Sequence, residues 1–381
     1  MMDHMRRPEV GILALAILML ACAIPTESPN WDVTWNLPVP DDNKMSIAVT
    51  SFLPTGVDTI GSPTATAFNA TISSVPPISR TLGANCPACP NATAPKPAFT
   101  APPASTTITL TAGTSLTSAT LTTGSRVIVA MNNGYTFDPI RPPGGGLPGT
   151  VTLTVSNGAA TLGTLTLQGA TSAIPAGQTT TVTVPLSGTM TTSSPITVTI
   201  TMDSPAGAAG SPVTMNPGQL FVASSTPTIN ISAATVSLAA RPLSSSPTPL
   251  DLSGIDSSIV RRIQNDAQTR GTMFLTLTNP FTLGAAATIT FRSPTGTPAA
   301  QTIVPIVKNL TVTPAPSATT ASVATAAINL TGQELRRMFG RDLEAVFGGS
   351  TAAGSITVAP TQRISVTSRI QVNFTVREQT P

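Results

Sequence analysis

The sequence predicts an all-β chain of two tandem β-sandwiches, the second with two helical insertions. Composition is the first reason: of 381 residues, 40% are hydrophobic, 9% charged and 4% aromatic. Thr and Ser together supply about a quarter of the chain, a charge-poor balance that favours many short strands over helical bundles. Ordinary disorder needs low hydrophobicity and high net charge, and neither is present. Periodicity is the second reason: short runs of alternating apolar residues recur between turn signals from about Ala104 onward. The third is a stretch of sequence that occurs twice.

The chain opens with Arg6 and Arg7 before an apolar run from Val10 to Ala21, followed by Cys22. About twelve apolar residues are too few to span a bilayer, which takes about 20, but they match the core of a secretory signal. Leu18-Met19-Leu20-Ala21-Cys22 resembles the bacterial lipobox, with Met19 and Leu20 departing from its usual residues. That resemblance implies a lipoprotein signal peptide over 1–21 and acyl chains on Cys22. It also implies a lipid anchor at the cell envelope, and Ala23 after the cysteine points to the outer membrane. Ala21-Cys22-Ala23 reads as well as an A-x-A site that would release a soluble protein. A cysteine at that one spot, the scarcity of cysteine elsewhere and a Pro-containing tether favour the lipid.

Residues 22–50 read as a lipid tether and N-terminal strands. Trp31, Val33, Trp35, Leu37 and Val39 alternate with Asp32, Thr34, Asn36 and Pro38, so both tryptophans share one face of a strand. Covering a core is the expected role of that face, over an exposed aromatic patch. Met45, Ile47 and Val49 suggest a second short strand. Residues 51–103, rich in Pro, Ala, Thr and Ser, read as an irregular segment ending in a linker. Within it, Cys86-Pro87-Ala88-Cys89 is a C-x-x-C pair. In an oxidising compartment these two are expected to join as a small structural disulfide loop, with free thiols the alternative. Redox chemistry needs a helix after the first cysteine, which Pro90, Pro95 and Pro97 forbid.

Sandwich 1 is expected over 104–243, from alternations such as Val127, Val129 and Met131, or Val151, Leu153 and Val155, or Ile196, Val198 and Ile200. Sandwich 2 is expected over 244–381. Asn133-Gly134-Tyr135-Thr136-Phe137 aligns with Asn279-Pro280-Phe281-Thr282-Leu283, and Leu186-Ser187-Gly188 with Leu330-Thr331-Gly332. The run from Val213 to Gln219 aligns with that from Ile356 to Gln362. Each match lies about 143 to 146 residues on, which predicts a tandem duplication. The first insertion is a helix with Ile255, Ile259, Ile263 and Ala267 on one face, capped by Ser253 or Asp256 and closed by Gly271. The second opens on the capping box Thr331-Gly332-Gln333-Glu334 and places Leu335, Met338, Phe339, Leu343, Val346 and Phe347 together, up to Gly348-Gly349. Residues Ile364 to Val376 alternate as a long last strand.

Ile174-Pro175-Ala176-Gly177, leading into Val182-Thr183-Val184-Pro185-Leu186 after an Asn-x-aromatic step, resembles the WHy domain of late-embryogenesis-abundant proteins. The Asn-Pro pair of that family stands at Asn279-Pro280, whereas the first copy has Asn133-Gly134. The resemblance implies immunoglobulin-like sandwiches and carries no function.

Catalysis is not expected. The single His is His4, inside the leader, so Ser-His and Cys-His arrangements and the commonest metal ligand are missing. Lys44, Lys96 and Lys308 lie scattered, no paired carboxylates stand out, and no cofactor or metal is expected. Nucleic acid is an unsuitable partner: Lys+Arg 19 barely exceeds Asp+Glu 16, without a basic stripe. The expectation is a non-enzymatic envelope lipoprotein that meets the membrane through Cys22 and an envelope protein or glycan through its modules. Trp31, Trp35, Tyr135, Phe339 and Phe347 are the candidate contact residues. Two rivals are a carrier of an apolar ligand, lidded by the Phe339/Phe347 helix, and a carbohydrate adhesin with Trp31, Trp35 or Tyr135 exposed as a platform.

Overall fold

In the computed structural model the described residues are 30–38, 45–61, 64–112, 115–253, 255–265 and 269–377. The leader, Cys22, Val39 and Ala267 lie outside them, as does the side chain of Trp31. The fold is mostly β, in several sheets whose neighbouring strands run antiparallel.

One pair of sheets holds the first half of the chain. Its first sheet has the order Thr179–Pro185, Arg126–Asn133, Leu220–Thr228, Ile78–Thr81. Its second has the order Ala160–Gln168, Thr150–Asn157, Ile196–Ser204, Phe99–Leu110, Ile72–Ser74. Val127, Val129 and Met131 of one and Val151, Leu153 and Val155 of the other are fully buried, while the residues between them are not. That alternation is what a strand with one face in a core must show. A second pair holds the other half. Asn30–Pro38, Arg363–Arg377, Arg270–Asn279 and Ser322–Thr331 form one sheet, with Met45–Ala48 also on Arg363–Arg377. Arg241–Ser244, Asp342–Thr351, Ala285–Arg292 and Ile306–Val312 form the other, with Thr248–Asp251 also on Asp342–Thr351.

A bridging sheet joins the two pairs. Asn230–Leu238 lies at its centre, flanked by Leu116–Leu121 and Ala67–Ala70, and Gly354–Val358 of the second half pairs with it as well. Ser125, just before Arg126–Asn133, exchanges hydrogen bonds with the backbone of Asn230 (2.7 and 3.0 Å), so that strand starts at the bridge and runs away from it. In the second half the corresponding strand runs toward the bridge rather than away from it. Arg270–Asn279 ends at the bridge, where Phe281 stacks 4.5 Å from Phe52, and starts at the far end, where Arg270 faces Asn373. Asn30 faces Arg377, beyond Arg270, at that same far end.

Several sequence expectations are corrected here. The segment 51–103 is not irregular: it contains Val57–Ile60, Ala67–Ala70, Ile72–Ser74, Ile78–Thr81 and the start of Phe99–Leu110. Strands of three or four residues, with Pro between them, are too short to show a period in sequence. Position 104 falls inside Phe99–Leu110, and 243 inside Arg241–Ser244. The N-terminal strands complete the second half rather than a tether of their own. The helix after Thr331 stops at Met338, with its capping box formed, and Asp342–Thr351 is a strand in which Leu343, Ala345 and Phe347 are buried alternately. Gly340, at φ 76°, breaks the helix with a left-handed step that only glycine takes freely. The earlier helix is Ser257–Asn265, capped by Asp256, whose carboxylate accepts from Ser258 N at 2.7 Å. Gly271 does not close it but lies in Arg270–Asn279, where the Leu335 side chain sits about 3 Å from the space its Cβ would fill.

Candidate functional site

The aromatic residues singled out in sequence do not share one surface: Tyr135 lies in the first half, Trp35 and Phe339 in the second. Tyr135, Phe339 and Phe347 are buried, which corrects their placement on a binding surface. Trp35 is half-buried, its ring 6.3 Å from that of Phe339. Leu335, Met338 and Phe339, in and just after the helix Gly332–Met338, are packed to within 1% exposure. An apolar cleft of about 310 Å³ does occur elsewhere, bounded by Ile108, Leu110, Met190 and Pro195 at the bridge end of the first half. Among the described residues no group of three His, Cys, Asp or Glu could hold a metal ion.

What the fold does assemble is a loop cluster at the end of the first half remote from the bridge. Residues 86–98, 134–149, 169–178 and 205–219 meet there, because Asn133, Thr179, Ser204 and Leu220 are the strand ends on that side. Asn133 is the hub. Its Nδ2 donates to Phe137 O (2.9 Å) and Ile174 O (2.7 Å), and its Oδ1 accepts from Tyr135 N (3.0 Å). Asp138 ties the same loops, accepting from Ile140 N, Arg141 N and Ile174 N. The Tyr135 hydroxyl accepts from Asn85 Nδ2 at 2.8 Å, and burial pushes the phenol up to about 12 against the opposing effect of that bond.

Cys86 and Cys89 are joined as the sequence predicts, both buried, after the short helix Leu82–Asn85. Ten residues on from Cys86, Lys96 is buried with its ammonium among oxygens. Nζ donates to Ser204 Oγ (2.9 Å), to Pro97 O (3.4 Å) and to Pro205 O. The rings of Phe99 and Phe137 lie 5.1 and 5.5 Å from it, as cation–π partners do. Burial lowers its pKa to about 8, with Asp203 pulling the other way. Between the disulfide and Lys96, Thr93–Ala94 pairs with Val213–Thr214. Sequence reasoning missed this lysine. The one signal available was a rare Lys set between two prolines, Pro95 and Pro97. Pro87, Ala88, Gly145, Ala176 and Ala209 are exposed on these loops, together with the large apolar Leu147 and the charged Arg141.

No family model matches the sequence, and no curated protein matches it. Among solved structures the chain is similar to a "putative secreted protein" from Parabacteroides distasonis, at 9% identity and TM-score 0.28, over 91% of this chain and 100% of that one. It is also similar to the structure of infectious bursal disease virus, Gx strain, at 11% identity and TM-score 0.20, over 92% of this chain and 71% of that one. At such scores neither likeness carries an argument about this protein.

Proposed function

We propose that the chain is a non-enzymatic lipoprotein of the bacterial envelope, held at the outer membrane by lipid on Cys22. In this reading its two halves are tandem immunoglobulin-like sandwiches, and the first is presented outward to an envelope protein or glycan. The observation that carries the reading is the register at the N-terminus. Asn30 faces Arg377 at the end of the second half farthest from the bridge, and the loop cluster caps the opposite end of the first half. A tether leading from Cys22 to Asn30 therefore joins the molecule at one pole and leaves the loop cluster at the other. The buried, bonded pair Cys86–Cys89 supports an oxidising compartment. More than one acyl chain, each buried CH₂ contributing roughly 0.8 kcal/mol, would make the attachment stable.

Recurring detail supports the tandem reading. Asn279 repeats the bonds of Asn133, with Nδ2 donating to Leu283 O (3.0 Å) and Thr313 O (2.9 Å) and Oδ1 accepting from Phe281 N (3.0 Å). Strand partners recur at the displacements seen in sequence: Val127 faces Val184 and Pro227, and Met273 faces Ile328 and Ile370.

Intact mass of protein extracted from membranes, beside Cys22→Ser, tests the anchor. Added acyl mass that is lost in the variant is expected. A processed chain without lipid in the culture fluid would overturn the reading.

A further inference from the structure

The bridge between the halves shows what one strand of the second half requires. Gly354–Val358 lies antiparallel on Asn230–Leu238, with Val358 facing Ala234, Thr357 facing Thr235 and Ile356 facing Val236. The hydroxyls of Thr235 and Thr357 meet at 3.1 Å. The tandem reading makes Val213–Thr214 the counterpart of Ile356–Thr357, and the turns that follow agree. Gln219 Oε1 accepts from Asn216 N (3.3 Å) and Gln362 Oε1 from Ala359 N (2.8 Å). The carbonyl of Gln219 accepts from Leu82 N, and that of Gln362 from Val49 N.

At the free pole Val213–Thr214 is covered instead by a short strand of the first half itself. Val213 faces Ala94, Thr214 faces Thr93, and Met215 N donates to Ala92 O at 3.0 Å. The hydroxyls of Thr93 and Thr214 meet at 2.8 Å. Ala92-Thr93-Ala94 thus stands where Ala234-Thr235-Val236 stands at the bridge, with the same threonine pair. The substitute is smaller. It spans two paired residues where the bridge spans five, and leaves Ala92 exposed where Ala234 is buried. It is held from both sides, by the disulfide before it and by Lys96 after it.

We propose that the edge Ser211–Met215 is a docking site for an extended, uncharged strand of Ala-Thr-Val type donated by another protein, and that Ala92–Ala94 is the chain's own occupant of that site. The inference rests on the tandem reading and not on the lipid. The bridge supplies the chemistry of the partner: an incoming strand with Val in place of Ala94 buries more apolar surface than the chain's own occupant.

The probe is a fluorescent synthetic peptide with the sequence of Asn230–Leu238, added to the full-length protein. Two variants loosen the occupant by different routes. One combines Lys96→Met with Cys86→Ser and Cys89→Ser; the other is Ala94→Pro, which removes a donor from the occupying segment. Hydrogen exchange at Val213 and Met215 reports whether the edge has opened. Opened protein is expected to bind the peptide at least about tenfold tighter than wild type, since an occupied site weakens apparent affinity by the fraction that is free. Val213→Pro in the opened background is expected to abolish binding. An open edge that ignores the peptide would overturn the docking site, as would amides that stay protected in both variants. Peptide binding that survives Val213→Pro but is lost with Ile356→Pro would place it at the bridge and overturn the equivalence of the two edges.

Discussion

Asn133 and Asn279 close the same corner in the two halves of the chain, yet what packs behind them differs. Behind Asn133 stands Tyr135, whose hydroxyl meets Asn85; behind Asn279 stands Phe281, whose ring meets Phe52. The corner at the free pole adds a polar contact to the packing of Tyr135 on Phe137 and Phe221, while at the bridge Phe281 packs on the ring of Phe52. The difference teaches that the backbone solution is held by the asparagine, while the residue two positions later answers to its neighbour.

The largest effect is expected at the hubs. Asn133→Ala removes the partner of three backbone groups in a buried corner, and each unsatisfied group costs on the order of 1–3 kcal/mol. Urea unfolding is expected to show a loss of about 3 kcal/mol for Asn133→Ala and for Asn279→Ala alike. Equal, negligible losses would break the claim that these side chains hold the corners.

Next comes the polar pair itself. Tyr135→Phe strands Asn85 and is expected to cost about 1–2 kcal/mol, whereas the double variant Asn85→Phe/Tyr135→Phe imitates the Phe52–Phe281 contact and should recover part of it. A double-mutant cycle without coupling would sink this reading.

Alkaline titration sharpens the same contrast, because Lys96 and Tyr135 both lie in the first half. Folded Lys96 loses its proton at about 8 against an ordinary 10.5, so stability is flat below pH 8 and rises between the two. Folded Tyr135 keeps its proton to about 12 against an ordinary 10.0, so its effect is a fall in stability between those values. Stability is expected to peak near pH 10, with the rise absent in Lys96→Met and the fall absent in Tyr135→Phe. The chain has one tyrosine, so phenolate absorbance reports Tyr135 alone.

Much of this was legible in the residues. The long alternations around Val127, Val151 and Ile196 became strands because one side of each sheet lies in a core, and period two records that directly. The duplicated Asn-x-aromatic and Pro-x-Gln stretches marked positions that hydrogen bond alike. What failed was reading a helix through Leu343, Val346 and Phe347, since apolar residues three and four apart also fit a strand with one interruption. The 51–103 segment and Lys96 were hidden for another reason. Short strands, and a lysine buried by contacts with residues more than a hundred positions away, leave no local pattern.

The smallest expected effect separates the two halves at one of the stretches that their sequences share. Leu186-Ser187-Gly188 leads into Thr189–Thr191, a strand of the bridging sheet, while Leu330-Thr331-Gly332 leads into the helix Gly332–Met338. Thr331 accepts from Glu334 N at 3.2 Å, and Glu334 accepts from Thr331 N at 2.8 Å and from Lys308 at 2.7 Å. Burial opposes charge on Glu334, but these bonds outweigh it and hold its carboxyl below the ordinary value. Its contribution is therefore full above that ordinary value and is lost on acidification. Thr331→Ala is expected to cost about 1 kcal/mol at neutral pH, as loss of an N-cap does, and Ser187→Ala less than about 0.5 kcal/mol. Thermal unfolding of the two variants side by side decides it. If the exposed Ser187 proved as costly as Thr331, the cap would not be what sends the second half into a helix, and the fork would have to lie in Gln333 and Leu335 against Thr189 and Thr191.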